Sequence, residues 1–486
     1  MEIRSVKSNY ILNLINTISG ILFPLITFPY ASRILFAEGI GKVQFFDSIV
    51  GYILTITSLG IPLYAIREIA IVRHDSYLRS KVAMEILLLH VALTFIAYLA
   101  VFVVASTIEK INADIPLFLL LSTTLLFTTI GVFWFYQGIE DFKYITIRAV
   151  SIKFFAAIAL FTLVKDRNDI MWYAGINVAA SVGNNIFNFI RLKKHISFDG
   201  LHFKDLQIKR HIAPSLKLFT LNLIVSIYIQ LDTVMLGFLK GDAAVGYYTA
   251  ASKLTRMSLG VITSLGGVLL PRLSNFVSTG RMDEFRDLCN KSLSFTLSLV
   301  LPMTVGLMIL AHPIIDVFSG PSYAPSALTL QIIASITIFI GFSSLLGMQI
   351  LYPLGKENIV IIAAASGAIV NLTFNFILIP YFSQYGAAAS SVFAEAMVVL
   401  MILILGKKYL SFKLFTAKNL NYFIGTIVMA ISVYLLSTLK LASCQILIIC
   451  IPSGVAIYFL FLAIRKDYFI GLIKNMILKK INLPKS

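Results

Sequence analysis

Charge is the scarcest property of this sequence. Of 486 residues, 13% are Asp, Glu, Lys or Arg and 58% are hydrophobic, whereas a soluble chain has about 25% charged and about 45–50% apolar residues. A water-soluble fold has no place for so much apolar surface, so a membrane protein is expected. Cysteine is almost missing too. Cys289, Cys444 and Cys450 form neither a CxxC pair nor an even-numbered framework, which argues against a disulfide scaffold or a thiolate metal site. Catalytic signatures are absent: there is no HExxH, GxSxG or phosphate-binding GxxxxGK[ST], nor a DxD pair in an outside loop. His74, His90, His195, His202, His211 and His312 stand apart without metal-ligand spacing. Most connections are shorter than about 15 residues, too short to build an enclosed catalytic domain.

What is present is a series of apolar stretches, each long enough to cross a bilayer, for which about 20 helical residues suffice. They begin near Tyr10, Val43, Val82, Ile115, Ala149, Ile170 and Pro214, and then near Val245, Ser292, Leu328, Ile359, Ala387, Asn419 and Cys444. Lipid offers no partner to a free peptide group, so each is read as a helix. The expected fold is an all-α, multi-pass membrane protein of about fourteen transmembrane helices. Arg4 and Lys7 precede the first apolar run, but the run extends to Ala31 with no small-residue cleavage pattern, so it is read as a retained helix rather than a signal peptide.

The net charge of +17 is dispersed between the apolar stretches instead of forming one face, which argues against nucleic acid as a partner. With the amino terminus inside, about 30 basic residues fall at cytoplasmic ends and about 7 outside, a bias that sets orientation. Both termini are therefore expected in the cytoplasm. The segment Arg191 to Lys217 is the richest inner loop, with Lys193, Lys194, Lys204, Lys209 and Arg210, and reads as a solvated linker facing membrane lipids.

That linker falls at the midpoint of a weak duplication. LNLI from Leu12 recurs from Leu221, GIGKVQFF from Gly39 is echoed by GDAAVGYY from Gly241, and YQGIED at Tyr136 by YPLGKEN at Tyr352. Internal repeats are how many transporters build two halves around a site. The expected organisation is an N-terminal lobe over 1–195, a linker over 196–213, a second six-helix lobe over 214–410, and an added helix pair with a basic tail over 411–486.

Ionisable residues at membrane depth cost about 2.5–3.5 kcal/mol on insertion scales and usually face a wet cavity or a partner. Here they are Asp47, Lys153, Asp232, Lys253, Arg256 and Glu395. Lys253 and Arg256, three apart on helix 8, share a face, and either Asp232 neutralises them or they receive phosphate oxygens, for which a guanidinium is well shaped. Lys153 adds a cation on helix 5. Arg33, Arg67, Arg148 and Arg272, at helix ends, extend a basic path or anchor by snorkelling.

An oxygen-rich set comprises Asn371 and Asn375, four apart on helix 11, with Asp232 and with Ser390 or Ser391. It reads either as a site for a small hard cation such as Na+ or as polar contacts between helices. Glu395 is an alternative proton carrier. Asn9, Asn13 and Asn16 line one face of helix 1, and Asn222, Ser226 and Gln230 line helix 7, stripes that suit sugar hydroxyls. Pro24 and Pro29 suggest that helix 1 bends. An aromatic belt accounts for Trp134 and Trp172.

The stretch FWFYQGIEDFKYITIR, Phe133 to Arg148, resembles the helix 4–5 junction of Wzx-type O-antigen and polysaccharide flippases. The opening ISGILFPLITFPYASRILFAEGIGKVQFF from Ile18 and LGIPLYAIREIA from Leu59 are similar to the same family. Its superfamily also holds lipid II flippases and multidrug and toxin exporters. The resemblance implies two pseudo-symmetric six-helix lobes in a V around a central cavity, alternating access in a bacterial inner membrane, and an undecaprenyl-diphosphate-linked oligosaccharide as cargo. It further implies cavity cations, matched by Lys153, Lys253 and Arg256, and a sodium site between helices 7, 11 and 12, matched by Asp232, Asn371 and Ser391. Where the lipid II flippases carry an acidic ligand on helix 11, this sequence has Asn375. No cofactor is expected beyond Na+ or H+ as coupling ion in an antiporter. Partners would be the lipid-linked oligosaccharide, membrane lipids, and polymerase and glycan-assembly proteins. The rivals are a cation-coupled multidrug exporter of the same fold and a membrane enzyme of the same glycan pathway.

Overall fold

A computed structural model describes residues 6–197, 202–410 and 417–467. Every regular element in these residues is a helix, as expected where backbone groups must be satisfied within one segment. The helices of membrane length are α1 (6–35), α2 (37–58), α3 (Ser76–Thr107), α4 (Ile115–Gly138), α5 (Phe142–Leu163), α6 (170–192) and α7 (Ile212–Leu239). They continue as α8 (Asp242–Ser278), α9 (Met282–Ile309), α10 (Pro325–Leu351), α11 (357–382), α12 (384–406), α13 (Ala417–Ser437) and α14 (Ser443–Ile464). Fourteen helices of that length are thus present among the described residues, in the expected order.

Two pairs are joined without a loop. The chain turns from α1 to α2 at Phe36 (φ 55°) and from α11 to α12 at Ser383 (φ 52°). Both are non-glycine residues at positive φ, which costs on the order of 1–3 kcal/mol and persists only where packing enforces it. At the first corner the Arg167 guanidinium lies 3.9 Å from the Phe36 ring, and Tyr30 Oη donates to Val164 O at 2.9 Å. Pro24 and Pro29 lie within α1, and the non-helical residue that parts α1 from α2 is Phe36.

The contacts divide the chain into two compact units, residues 1–246 and 247–486. In the first, α2 crosses the α7–α8 corner backbone to backbone. A Cβ on Gly41 would stand 1.8 Å from Asp242 O, and one on Gly246 would stand 1.9 Å from Ala37 O. Beside the crossing, Lys110 Nζ reaches Asp242 Oδ1 at 2.7 Å and Gly237 O at 2.5 Å, and Lys42 pairs with Asp114 at 2.8 Å.

The core of the first unit gathers the short helix Ile61–Val72, α3 and the aromatic run Trp134, Phe135 and Tyr136. Trp134 is therefore not a belt residue. α4 breaks at Val132, a left-handed residue with φ 38°, and the turn carries Trp134 inward until it is 4% exposed. Trp172, 55% exposed, stays outside.

The second unit has two cores. One joins α9, α13 and α14 through Leu297, Tyr422, Met429 and Tyr458; the other joins α8 through α12 around Leu273, Phe285, Leu346 and Ile402. Each unit repeats one local device. Thr94 on α3 hydrogen-bonds Thr129 on α4, and Thr304 on α9 hydrogen-bonds Thr337 on α10. Each hydroxyl carries one proton, so within a pair one donates to the other and the second donates to the carbonyl one turn back in its own helix. The two pairs lie one repeat apart along the chain, as an internal duplication would place them.

The linker is less solvated than its charges suggest. Lys193, Lys194, Lys204 and Lys209 are exposed, but its last turn is docked on Glu85 of α3, which is fully buried. Glu85 accepts from Gln207 N at 2.7 Å and Arg210 Nη2 at 2.6 Å, and bonds to His211 Nε2 at 2.8 Å. His211 Nδ1 lies 2.7 Å from Tyr64 Oη.

Candidate functional site

α5 of the first unit turns one face to α1. Thr146 Oγ1 donates to Leu12 O at 3.0 Å. Two turns on, the half-buried Lys153 donates from Nζ to Ser19 Oγ at 3.1 Å, and Ser19 donates to Asn16 O at 2.7 Å. Gly20, which would bring a Cβ 3.7 Å from Nζ, completes the surroundings. Among the described residues no carboxylate lies within ion-pair distance of Lys153. Its partner is a neutral hydroxyl, so the full charge is available to an anion. The sequence singled out Lys153 and Asn16; Ser19 and Gly20 were invisible because small residues at a helix contact carry no signature of their own.

The other first-unit candidates separate from this face. Arg148 is directed to α6, bonded to Asn184 and Asn188. Arg33 is exposed and returns to Pro29 O at 2.6 Å, and the exposed Arg67 lies 3.5 Å from Glu68. Asp232 on α7 is buried, within electrostatic reach of Tyr52 on α2. One residue before Tyr52, a Cβ on Gly51 would meet Gln230 Oε1 at 2.3 Å. α2 and α7 thus meet through Gly51 and Tyr52, two residues that no local pattern singles out. The side chains of Asn9, Asn13, Asn222 and Ser226 lie outside the described residues.

In the second unit, Lys253 is half-buried and Arg256, one turn on along α8, is exposed. Arg272, farther along α8, lies 5.4 Å from the Phe276 ring. Asn371 and Asn375 are fully buried and joined, Nδ2 of Asn375 donating to Oδ1 of Asn371 at 3.2 Å. Ser390, Ser391 and Glu395 on α12 are buried as well. Ser390 donates to Gly386 O at 2.9 Å, and Ser391 Oγ lies 3.3 Å from Tyr248 Oη. Tyr248 belongs to α8, so one helix carries both the Lys253–Arg256 pair and a hydroxyl against the oxygen-rich set. Amide, hydroxyl and carboxylate oxygens are the donors a small hard cation takes, and Asn371, Asn375, Ser391 and Glu395 supply them.

Comparisons with known proteins give the chain a family and a fold. Residues 6–277 match the model of the polysaccharide biosynthesis protein family, and residues 218–377 match that of the MatE family. A Shigella dysenteriae protein with the provisional name of O-antigen transporter is 26% identical over 406 residues, covering 82% of this chain and 99% of its own. Among solved structures, the lipid II flippase MurJ in an inward closed conformation superposes with a TM-score of 0.70 at 19% identity, covering 96% of this chain and 99% of its own. An inward-facing multidrug-resistance transporter of the MATE family gives 0.61 at 14% identity, covering 84% and 95%. With the match extending over more than half of its length, the chain belongs to the polysaccharide biosynthesis protein family.

Proposed function

We propose that this chain flips a lipid-linked oligosaccharide, carried on undecaprenyl diphosphate, from the cytoplasmic to the periplasmic leaflet of a bacterial inner membrane. The observation that carries the reading is Lys153: a cation at membrane depth whose partner is the neutral Ser19 hydroxyl. Such a group is costly to hold unless an anion visits it. A diphosphate is that anion, and Asn16 and Ser19 beside the lysine suit its hydroxylated headgroup. Lys253 and Arg256 on one face of α8 supply further cations. The fold shared with MurJ and the O-antigen transport assigned by name to the Shigella relative support the same cargo.

In this reading both termini are cytoplasmic, and the lipid tail stays in the bilayer while the headgroup is carried across. The chain's own residues hold the diphosphate oxygens through charge-assisted hydrogen bonds. Sodium or a proton resets the empty carrier. For sodium, Asp232, Asn371, Asn375 and Ser391 would be the ligands; for a proton, Glu395 would be the carrier.

The test is flipping of undecaprenyl-diphosphate oligosaccharide by the purified chain in liposomes. A hydrogen bond to a charged group contributes about 1.5–3 kcal/mol, so Lys153→Gln should slow flipping about tenfold or more, Lys153→Arg should retain most of it, and Lys153→Glu should abolish it. Arg256→Glu should stop export as well. Wild-type rates for folded Lys153→Glu would remove the phosphate role. Efflux of organic cations with no flipping of the glycolipid would favour the multidrug reading.

A further inference from the structure

The linker ends of α5 and α6 hold a second buried positive charge, on the side of α5 turned away from Lys153. Arg148 is 8% exposed. Its Nη1 donates to Asn188 Oδ1 and its Nη2 to Asn184 Oδ1 at 3.1 Å. The guanidinium lies 4.6 Å from the Tyr144 ring, and that of Arg191 lies 3.9 Å from the same ring. Arg191 is neutralised by Asp141 at 2.9 Å. Among the described residues Arg148 has no carboxylate within ion-pair distance, so Arg148, Arg191 and Asp141 together leave one positive charge unbalanced.

Two donors at this corner also lack acceptors. They are Nε of Arg148 and Nδ2 of Asn188, a side chain with no exposed surface. With Oδ1 of Asn188 committed to the guanidinium, the amide orientation is fixed and Nδ2 has to find its partner elsewhere. A guanidinium stays protonated in proteins, so burial cannot be relieved by losing the charge. Buried donors are almost always satisfied, and a buried ion without a counter-charge is far costlier than a missing neutral hydrogen bond. Water would answer the donors only. A small anion answers the donors and the charge together.

We propose that Arg148 and Asn188 form a binding site for one small anion, separate from the path of the cargo. A halide ion or a single phosphate oxygen is the smallest ligand that brings both the charge and the acceptor these groups require. Arg191, with 31% of its side chain exposed, and the exposed Lys143 stand at the helix ends and draw anions toward it. The exposed Ile147, Phe187 and Ile190 nearby place lipid alongside. Chloride from solution and the phosphate of an anionic lipid headgroup therefore share the required chemistry.

The test uses the purified full-length chain. Thermal unfolding is followed in sodium chloride and in sodium gluconate at equal ionic strength, and in nanodiscs of phosphatidylglycerol and of phosphatidylcholine. A ligand that binds only the folded state raises the melting temperature with increasing concentration, so chloride should give a rise that saturates. A rise with phosphatidylglycerol alone would identify the anion as headgroup phosphate. Asn188→Asp supplies a fixed counter-charge and should remove the anion dependence while raising the melting temperature in gluconate. Arg148→Gln should also remove the dependence. If neither anion alters the wild-type melting temperature, or if folded Asn188→Asp and Arg148→Gln keep the wild-type dependence, the site does not exist. Should both variants fail to fold, the wild-type titration decides alone: a saturable rise supports the site and a flat response overturns it.

Discussion

Lys153 and Arg148 stand five residues apart on one helix, and their surroundings divide them completely. Five residues turn a helix by about 140°, so Thr146 and Lys153 face α1 while Arg148 faces α6. From the sequence Arg148 either extends a basic path or anchors by snorkelling, and the rotation of α5 turns it instead to the amides of α6. Trp134 carries a similar lesson. Its position near a helix end suggested a membrane anchor, but the left-handed turn at Val132 buries it. Trp134→Ala should cost about 3–5 kcal/mol, whereas Trp172→Ala, at an exposed site, should stay within about 0.5 kcal/mol; thermal unfolding of the two variants checks this. His195 gives a pH dependence from the same region. Burial, and then Arg191 beside it, lowers its pKa from the ordinary value. The folded state thus resists protonation more than the unfolded one, and the stability that rests on neutral His195 is full above the ordinary histidine pKa and lost as pH falls below it. The melting temperature should drop less between neutral and mildly acid pH in His195→Gln than in the wild type. The paired amides of Asn371 and Asn375 were legible, because four residues along a helix suffice to predict their contact. Ser19, Tyr52 and Tyr248 were not, since their partners lie on other helices and nothing in their local sequence points there.

At the scale of helices, the bilayer explains why so much could be read in advance. Each crossing needs a long apolar run and has one backbone solution, so all fourteen expected helices recur in order. The corners are another matter. Phe36 and Ser383 interrupt their helices at positive φ without being glycine, so the sequence shows that a new helix follows but does not mark the residue at which each break falls. The docked linker was also hidden, because Glu85 sits in an apolar helix and its partners Arg210 and His211 come from across the fold. Glycines at α2 and α8 hold the tightest crossing, and the carbonyls against them are backbone that cannot rotate away. Gly246→Val should therefore displace α8 from α2 and cost at least about 1–3 kcal/mol. Gly306→Ala is the control: nothing lies within 4 Å of its Cβ position, and a helical Gly→Ala change is expected to stabilise by about 0.5–1 kcal/mol. Melting temperatures of the two purified variants should move in opposite directions. Equal shifts would mean that the crossing is loose.

For the whole molecule, the paired threonines Thr94–Thr129 and Thr304–Thr337 show a duplication that the sequence echoes only hinted at. Each unit contributes a different chemistry to the proposed cycle: Lys153 and Asp232 lie in the first, Lys253, Arg256 and the Asn371–Asn375 pair in the second. Energetics separates the cargo step from the ion step. A diphosphate carries about two negative charges, and an inside-negative potential favours their outward movement by about 2.3 kcal/mol per charge per 100 mV. In the proposed cycle the field alone is then enough to drive export, and a coupling ion would act on the return of the empty carrier. In liposomes with an imposed potassium diffusion potential, flipping should accelerate when the side the cargo leaves is negative, in wild type and in Asp232→Asn alike. Sodium or proton dependence of turnover should appear in the wild type and vanish in Asp232→Asn. Loss of the potential response in that variant, with its ion dependence intact, would assign Asp232 to the cargo and leave Glu395 as the carrier of the ion.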